Sequence, residues 1–265
     1  MKVSVLIPTY NRVNALIATL TSLTAQTFKD FEVIVSDQSD SFALEDMLVK
    51  TIKRIFERRN NPIHFIQNLP KQGIAQQRQF LLDNAKGEFS LFLDDDIILD
   101  PDALERMVKA LDEEKAGFTG MALVGLSYVN DYRPEQQDIE FWEGKVQPEV
   151  VRPGTPEWNR YSLHNAANIL HVSEKLHLSP QNQKKYKVAW IGGCVLYDTA
   201  KLKETGGFAF WEELPENHRG GDVLAQMRIM ERYGGFGIIP SGAYHLELPT
   251  TIEKREVNAP EYYYG

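Results

Sequence analysis

Only one cysteine, Cys194, occurs in 265 residues, so no internal disulfide forms and the chain suits a reducing compartment. Positive charge is also scarce. Lysine and arginine number 29 against 37 acidic residues, and a formal charge of −8 argues against nucleic-acid binding through a broad basic face. No apolar run approaches the roughly 20 residues that span a bilayer. Residues 3–7 make a run stopped by Pro8, too short for a signal peptide. The expectation is a cytoplasmic protein without a transmembrane segment, for which contact with a membrane surface stays open. Internal repeats and low-complexity segments are missing as well. What remains has ordinary composition, 43% hydrophobic and 25% charged, and is long enough to bury one large α/β core.

The apolar pattern alternates between strand and helix. Residues 3–7 read as a strand. Val13, Leu16, Ile17, Leu20 and Leu23 follow at helical spacing, with Asn11 placed to cap them. Residues 31–35 are a second strand, and Leu44, Met47, Leu48, Ile52 and Ile55 mark a second helix. A third strand at 63–66 precedes a helix at 75–85, and 89–93 is a fourth strand. Asp100 then caps a helix with Pro101 at its first position and Leu104, Met107, Val108 and Leu111 on one face. This order predicts one mostly parallel, Rossmann-like sheet flanked by helices. Residues 118–129 suit a further strand, and 130–187 read as an irregular insertion. Regular signals return as a strand at 188–197 broken by Gly192-Gly193, helices at 199–204 and 222–233, and a last strand at 236–239. The tail, 252–265, has no apolar periodicity.

Ligands of open parallel sheets sit outside the carboxyl ends of the strands. Those ends read Pro8-Thr9-Tyr10-Asn11-Arg12, then Asp37-Gln38-Ser39-Asp40, then Asp94-Asp95-Asp96. Three adjacent carboxylates are costly unless something positive neutralises them, and a divalent cation carrying a phosphorylated ligand would do so. A solvated acidic turn explains the triplet alone. It does not explain why successive strands deliver polar segments to one edge.

Residues 3–12 resemble the opening of the family-two glycosyltransferases with the A-type fold. Residues 33–40 resemble that family's second-strand motif. Gly73-Ile74-Ala75-Gln76-Gln77-Arg78 resembles its helix-three motif, with Gln79 where asparagine often follows. Phe92-Leu93-Asp94-Asp95-Asp96 resembles the metal-binding D-x-D, with Ile97 in place of a frequent further aspartate. Gly206-Gly207-Phe208 and Gly221-Asp222 resemble the glycine-rich segment and the acidic pair carrying the base, with glycine at 221 where glutamate is common. The likeness is strong over 1–125, moderate over 188–245 and slight over 130–187. We therefore expect a single A-type domain over 1–250, with a nucleotide-sugar half (1–125), an acceptor half (126–250) and a tail at 251–265.

The resemblance implies transfer of a sugar from a nucleoside-diphosphate sugar, a UDP-sugar by the character of the base site, to a hydroxyl of a glycan or lipid-linked acceptor. Polysaccharide, glycolipid or cell-envelope glycan synthesis is the setting it suggests. It implies Mn²⁺ or Mg²⁺ on Asp96 as the cofactor, since hard oxygen ligands suit those ions. Asp95 would meet the ribose, with Asp94 in support. Asp37 would accept from the base N–H, and Pro8, Thr9, Tyr10, Arg12 and Gly73 would line the nucleotide. Arg78 would pair with base or phosphates, or merely form a surface ion pair. Asp222 would take the acceptor proton, serve as a helix cap, or both. His245 would touch metal or diphosphate, or be structural. His218 and Arg219 would clamp phosphate, or lie in a solvated loop. Trp190 and Trp211 would stack on acceptor sugars, or pack. Two rival readings stay open: a sugar nucleotidyltransferase, and a nucleotide-sugar-binding relative without catalysis. Ile7-Pro8-Thr9-Tyr10, standing where the first rival carries a glycine-rich basic loop, counts against it.

Overall fold

The computed structural model describes residues 1–251 and 254–264. The first half alternates as its pattern predicts: β1 (Val3–Thr9), α1 (Val13–Thr24), β2 (Phe31–Asp37), α2 (Met47–Arg58), β3 (Ile63–Gln67), α3 (Ile74–Asn84), β4 (Phe89–Leu93), β5 (Ile97–Leu99) and α4 (Ala103–Glu114). The second half holds β6 (Phe118–Gly120), α5 (Asn168–Lys175), β7 (Lys184–Tyr186), β8 (Cys194–Asp198), α6 (Thr199–Glu204), α7 (Gly221–Tyr233), β9 (Gly235–Ile239), β10 (Ala243–His245) and α8 (Ala259–Tyr264). Eight strands form one sheet in the order β3-β2-β1-β4-β8-β6-β9-β7. Only β8 and β7 run against the others, so the sheet is mostly parallel.

Successive side chains of a strand point to opposite faces, and the core divides accordingly. Val3, Val5 and Ile7 of β1 pack with Leu16, Leu20 and Leu23 of α1 on one face. Leu6 joins Leu81 of α3 and Leu224 of α7 on the other. The wholly buried β1 and β2 explain why both read as continuous apolar runs rather than alternating ones.

Several boundaries differ from expectation, each for a local reason. Strand β1 continues through Pro8, because β4 pairs only with Val3 to Leu6 and leaves one side of β1 open beyond. Asn11 does not cap α1. Its φ is +54°, its Nδ2 donates to Asp40, and Arg12 is the N-cap. On α2 the buried face is Val49, Ile52 and Phe56, whereas Met47 and Leu48 are exposed. Helix α4 starts at Ala103 behind Asp102, and Asp100 holds its first turn through its backbone carbonyl rather than its side chain.

Past β6 the strand expected to Val129 gives way to irregular backbone and a 3₁₀ turn. The insertion is less formless than its composition suggests, contributing α5 and the edge strand β7. Strand β9 is not the last, since β10 follows and pairs with β5. Within the tail read as unpatterned, α8 packs with α7, and the Tyr263 ring lies 6.4 Å from Phe210. Ile252, Glu253 and Gly265 of that tail fall outside the described residues.

Candidate active site

A cleft of about 400 Å³ opens where β1 and β4 end. All three polar strand-end segments reach it, the second through Gln38 alone. Strand β4 stops at Leu93 and delivers Asp94, Asp95 and Asp96 to its wall. Asp95 and Asp96 meet three partners. Arg12, just before α1, donates to Asp95 at 3.2 Å and to Asp96 at 2.5 Å. Thr9 Oγ1 donates to the other oxygen of Asp95 at 2.6 Å. The antiparallel pairing of β5 with β10 sets Ile97 opposite His245, and that register brings His245 Nε2 to 3.2 Å from Asp96 Oδ2.

Burial pushes the Asp95 carboxyl up to about 7, against the Thr9 hydrogen bond and the Arg12 charge. Asp96 behaves oppositely. Burial raises it too, but hydrogen bonds and charge from His245 and Arg12 outweigh that and hold it below the usual carboxylate range. The same contact with Asp96 raises the His245 imidazole.

A divalent cation fits here in a limited way. Asp96 Oδ2 and His245 Nε2 lie side by side on the wall and present one hard oxygen and one imidazole nitrogen. Among the described residues no group of three or more His, Cys, Asp or Glu side chains could hold a metal. Two protein donors suit an ion that keeps most of its shell for water and phosphate oxygens, as Mg²⁺ does.

Arg78, on α3, lines the cleft but is only 7% exposed and lies between carboxylates. Its Nη2 is 3.2 Å from Asp94 and its Nη1 is 3.6 Å from Asp222, so one guanidinium ties the end of β4 to the start of α7. Asp222 is not the helix cap. Gly220, left-handed at φ +72°, occupies that position, and the Asp222 carboxylate stays 23% exposed in the cleft. Before it, residues 216–220 form a loop seated on the nucleotide half. Gly73 has φ +92°, and a Cβ there would lie 2.6 Å from the Glu216 carbonyl oxygen, so only glycine lets this loop approach. Lys71 pairs with Glu216 at 2.7 Å and covers the Tyr10 ring. On the far side, the Arg219 backbone exchanges hydrogen bonds with Val257 and Ala259 of the tail.

Four expected residues stand differently. Asp37 is fully buried off the cleft wall, and its two oxygens accept from the Ser39 and Ala43 amides, bracing the loop after β2. Trp190 and Trp211 are partly buried against the second core cluster and lie off the cleft wall. His218 lines the cleft but is 2% exposed, not part of a solvated loop. Lys71, Gln77 and Arg255 also line the cleft and were not singled out. Gln77 bridges the ends of β1 and β2 by donating to Thr9 and Ser36 carbonyls. Its place one residue before Arg78 was the available signal. Gln79, the departure from asparagine, accepts from the Phe208 amide at 2.8 Å and anchors the glycine-rich segment.

Residues 4–175 match the family described as Glycosyl transferase family 2. The chain belongs to that family. It is 36% identical over 124 residues to the GalNAc(5)-diNAcBac-PP-undecaprenol beta-1,3-glucosyltransferase of Campylobacter jejuni, a match covering 46% of this chain and 38% of that protein. The chain spans between 24% and 38% of the length of the first curated relatives it matches. Among solved structures, S. aureus TarS 1-349 in complex with UDP-GlcNAc superposes with a TM-score of 0.56 at 20% identity, covering 95% of this chain and 60% of that one. GalNAc-T7 with UDP, GalNAc and Mn2+ gives 0.60 at 14% identity, covering 95% and 45%. At such identities the likeness is one of fold, and the fold is the A-type expected of this family.

Proposed function

We propose that this chain is a metal-dependent, inverting glycosyltransferase that moves a sugar from a UDP-sugar to a hydroxyl of a glycan or lipid-linked acceptor. The observation that carries this reading is the meeting of Asp94, Asp95 and Asp96 with His245, Arg78 and Asp222 around one cleft, although 125 residues lie between Asp96 and Asp222. The UDP and Mn²⁺ named with the fold neighbours support the donor and cofactor. The relative named for an undecaprenol-linked substrate supports an acceptor of cell-envelope type.

In this reading the acceptor hydroxyl oxygen attacks the anomeric carbon from the face opposite the diphosphate. The C–O bond to the phosphate breaks, its electron pair leaves with UDP, and Asp222 takes the hydroxyl proton. Arg78 fixes where that carboxylate sits. Asp95, with Thr9 and Arg12 behind it, meets the ribose, and the Pro8-Thr9 backbone borders the base. A divalent cation held by Asp96 and His245 would offset the charge developing on the departing diphosphate. Asp37 acts on the base pocket by bracing residues 39–43.

Calorimetric titration with UDP, GDP and CDP, each with and without Mn²⁺, tests the donor side. The account expects UDP to bind tightest and only weakly without the ion. Tighter binding of GDP, or binding indifferent to Mn²⁺, would overturn the donor or the cofactor assignment respectively.

A further inference from the structure

His218 lines the cleft, and the proposed reaction leaves its imidazole unused. It is 2% exposed, and Nδ1 lies 2.8 Å from the Pro215 carbonyl, an acceptor only, so Nδ1 carries the hydrogen and donates. That fixes Nε2 as the bare nitrogen. Nε2 is buried and has no hydrogen-bond partner among the described residues, and a buried polar atom left unpaired in this way calls for an explanation, a bound ligand being one. The atom is also placed with purpose. A Cβ built on Gly221 would lie 3.5 Å from it, so the imidazole fills the space beside the position where this family commonly has glutamate. Burial holds the ring below the ordinary histidine range, against a smaller upward pull from the Pro215 carbonyl. A neutral ring on the cleft lining, with its bare nitrogen beside Gly221, offers phosphate no hydrogen. It suits a hydroxyl.

We propose that His218 Nε2 accepts a hydrogen bond from a sugar hydroxyl brought beside Asp222, doing with a neutral nitrogen what a carboxylate at position 221 would otherwise be placed to do. His218 is then a residue that selects for the sugar, by way of a buried acceptor that a ligand lacking the hydroxyl leaves unpaired. The hydroxyl belongs either to the donor sugar or to the acceptor. Gly221 and His218 form one device, since a side chain at 221 would compete for the same space. The inference rests on the glycosyltransferase reading of the cleft.

Three proteins decide it: wild type, His218→Phe, which fills the volume without an acceptor, and His218→Gln, whose Oε1 reaches toward the same point. Each is titrated with UDP and with UDP-glucose, UDP-galactose, UDP-GlcNAc and UDP-GalNAc in the presence of Mn²⁺. Each is then assayed for sugar transfer to water and to p-nitrophenyl glycosides. A donor hydroxyl predicts that His218→Phe loses roughly tenfold in affinity for the preferred UDP-sugar while UDP binds as before, and that His218→Gln recovers most of the loss. An acceptor hydroxyl predicts unchanged affinities and hydrolysis but a roughly tenfold lower kcat/KM for transfer, again recovered by glutamine. Unchanged values throughout for His218→Phe would overturn the inference. So would a loss of UDP affinity that matches the loss for the UDP-sugar. Should His218→Phe misfold, ¹⁵N-histidine spectra of the wild type decide: an Nε2 that carries a proton at pH 7.5, or does not shift with UDP-sugar or glycoside, is contradictory. Failure of the wild type to bind any nucleotide would strike the proposed function instead.

Discussion

Replacing Arg78 by methionine probes the junction on which the whole cleft depends. The guanidinium is 9% exposed at its side chain and lies within 3.2 Å of Asp94 and 3.6 Å of Asp222. Methionine keeps the length of the stem and removes both contacts. Removing one partner of a fully buried ion pair costs about 3–5 kcal/mol, and surface pairs contribute about 0–1. Asp94 is 39% exposed and Asp222 23%, so water resolvates both carboxylates in part. We expect a loss of about 1–3 kcal/mol in stability, read by urea denaturation.

The effect on turnover should be larger than stability alone implies. Asp222 lies in the first turn of α7 and is not its cap, and Arg78 is the ionic contact that its carboxylate makes among the described residues. A misplaced general base costs on the order of 10²-fold in kcat. Asp222→Asn should cost roughly 10² to 10⁴-fold. Because the two residues act as a unit, the double variant should be scarcely slower than Asp222→Asn alone. Multiplying losses in the double variant, or wild-type turnover in Arg78→Met, would refute a positioning role for Arg78.

Two further outcomes follow from the same geometry. Asp96→Asn should weaken Mn²⁺-dependent UDP binding far more than Asp94→Asn, because Asp96 is the carboxylate beside His245 whereas Asp94 faces Arg78; equal affinities by calorimetry would sink that assignment. His164 is pushed down to about 4 by burial, against a smaller upward pull from the Trp190 backbone, with Nε2 3.0 Å from the Tyr186 hydroxyl, so the folded state favours the neutral ring. Stability from this group is therefore whole above about 6.5 and is lost as pH falls toward 4, by roughly 2–3 kcal/mol, and His164→Gln should flatten that dependence in urea melts at pH 7.5 and 5.

What was legible in the sequence was what a single segment encodes. Buried parallel strands read as apolar runs, so β1, β2 and β4 were found, and with them the polar groups at their ends. The Asp94-Asp95-Asp96 triplet needed no partner to be noticed. Its partners Arg78 and His245 came into view through the family resemblance, not through their own pattern. His245 reaches Asp96 only through the antiparallel pairing of β5 and β10, two three-residue strands too short to show a period. Arg78 looks like any arginine on a helix until α7 folds against α3. Asp37 sits in the expected motif yet turns inward, because two backbone amides after β2 need an acceptor. The insertion and the tail escaped for a shared reason. Elements such as β7 and α8 take their stability from contacts with β9 and α7 rather than from their own pattern.

The central claim is that this cleft performs an inverting displacement with Asp222 as base. Proton NMR of the first product, followed from a UDP-sugar of known anomeric configuration with wild type and Asp222→Asn, tests it most directly. The account predicts a product of opposite configuration. It also predicts that Asp222→Asn binds UDP nearly as wild type does while turning over roughly 10² to 10⁴-fold more slowly. Retained configuration, or wild-type turnover in Asp222→Asn, would contradict it.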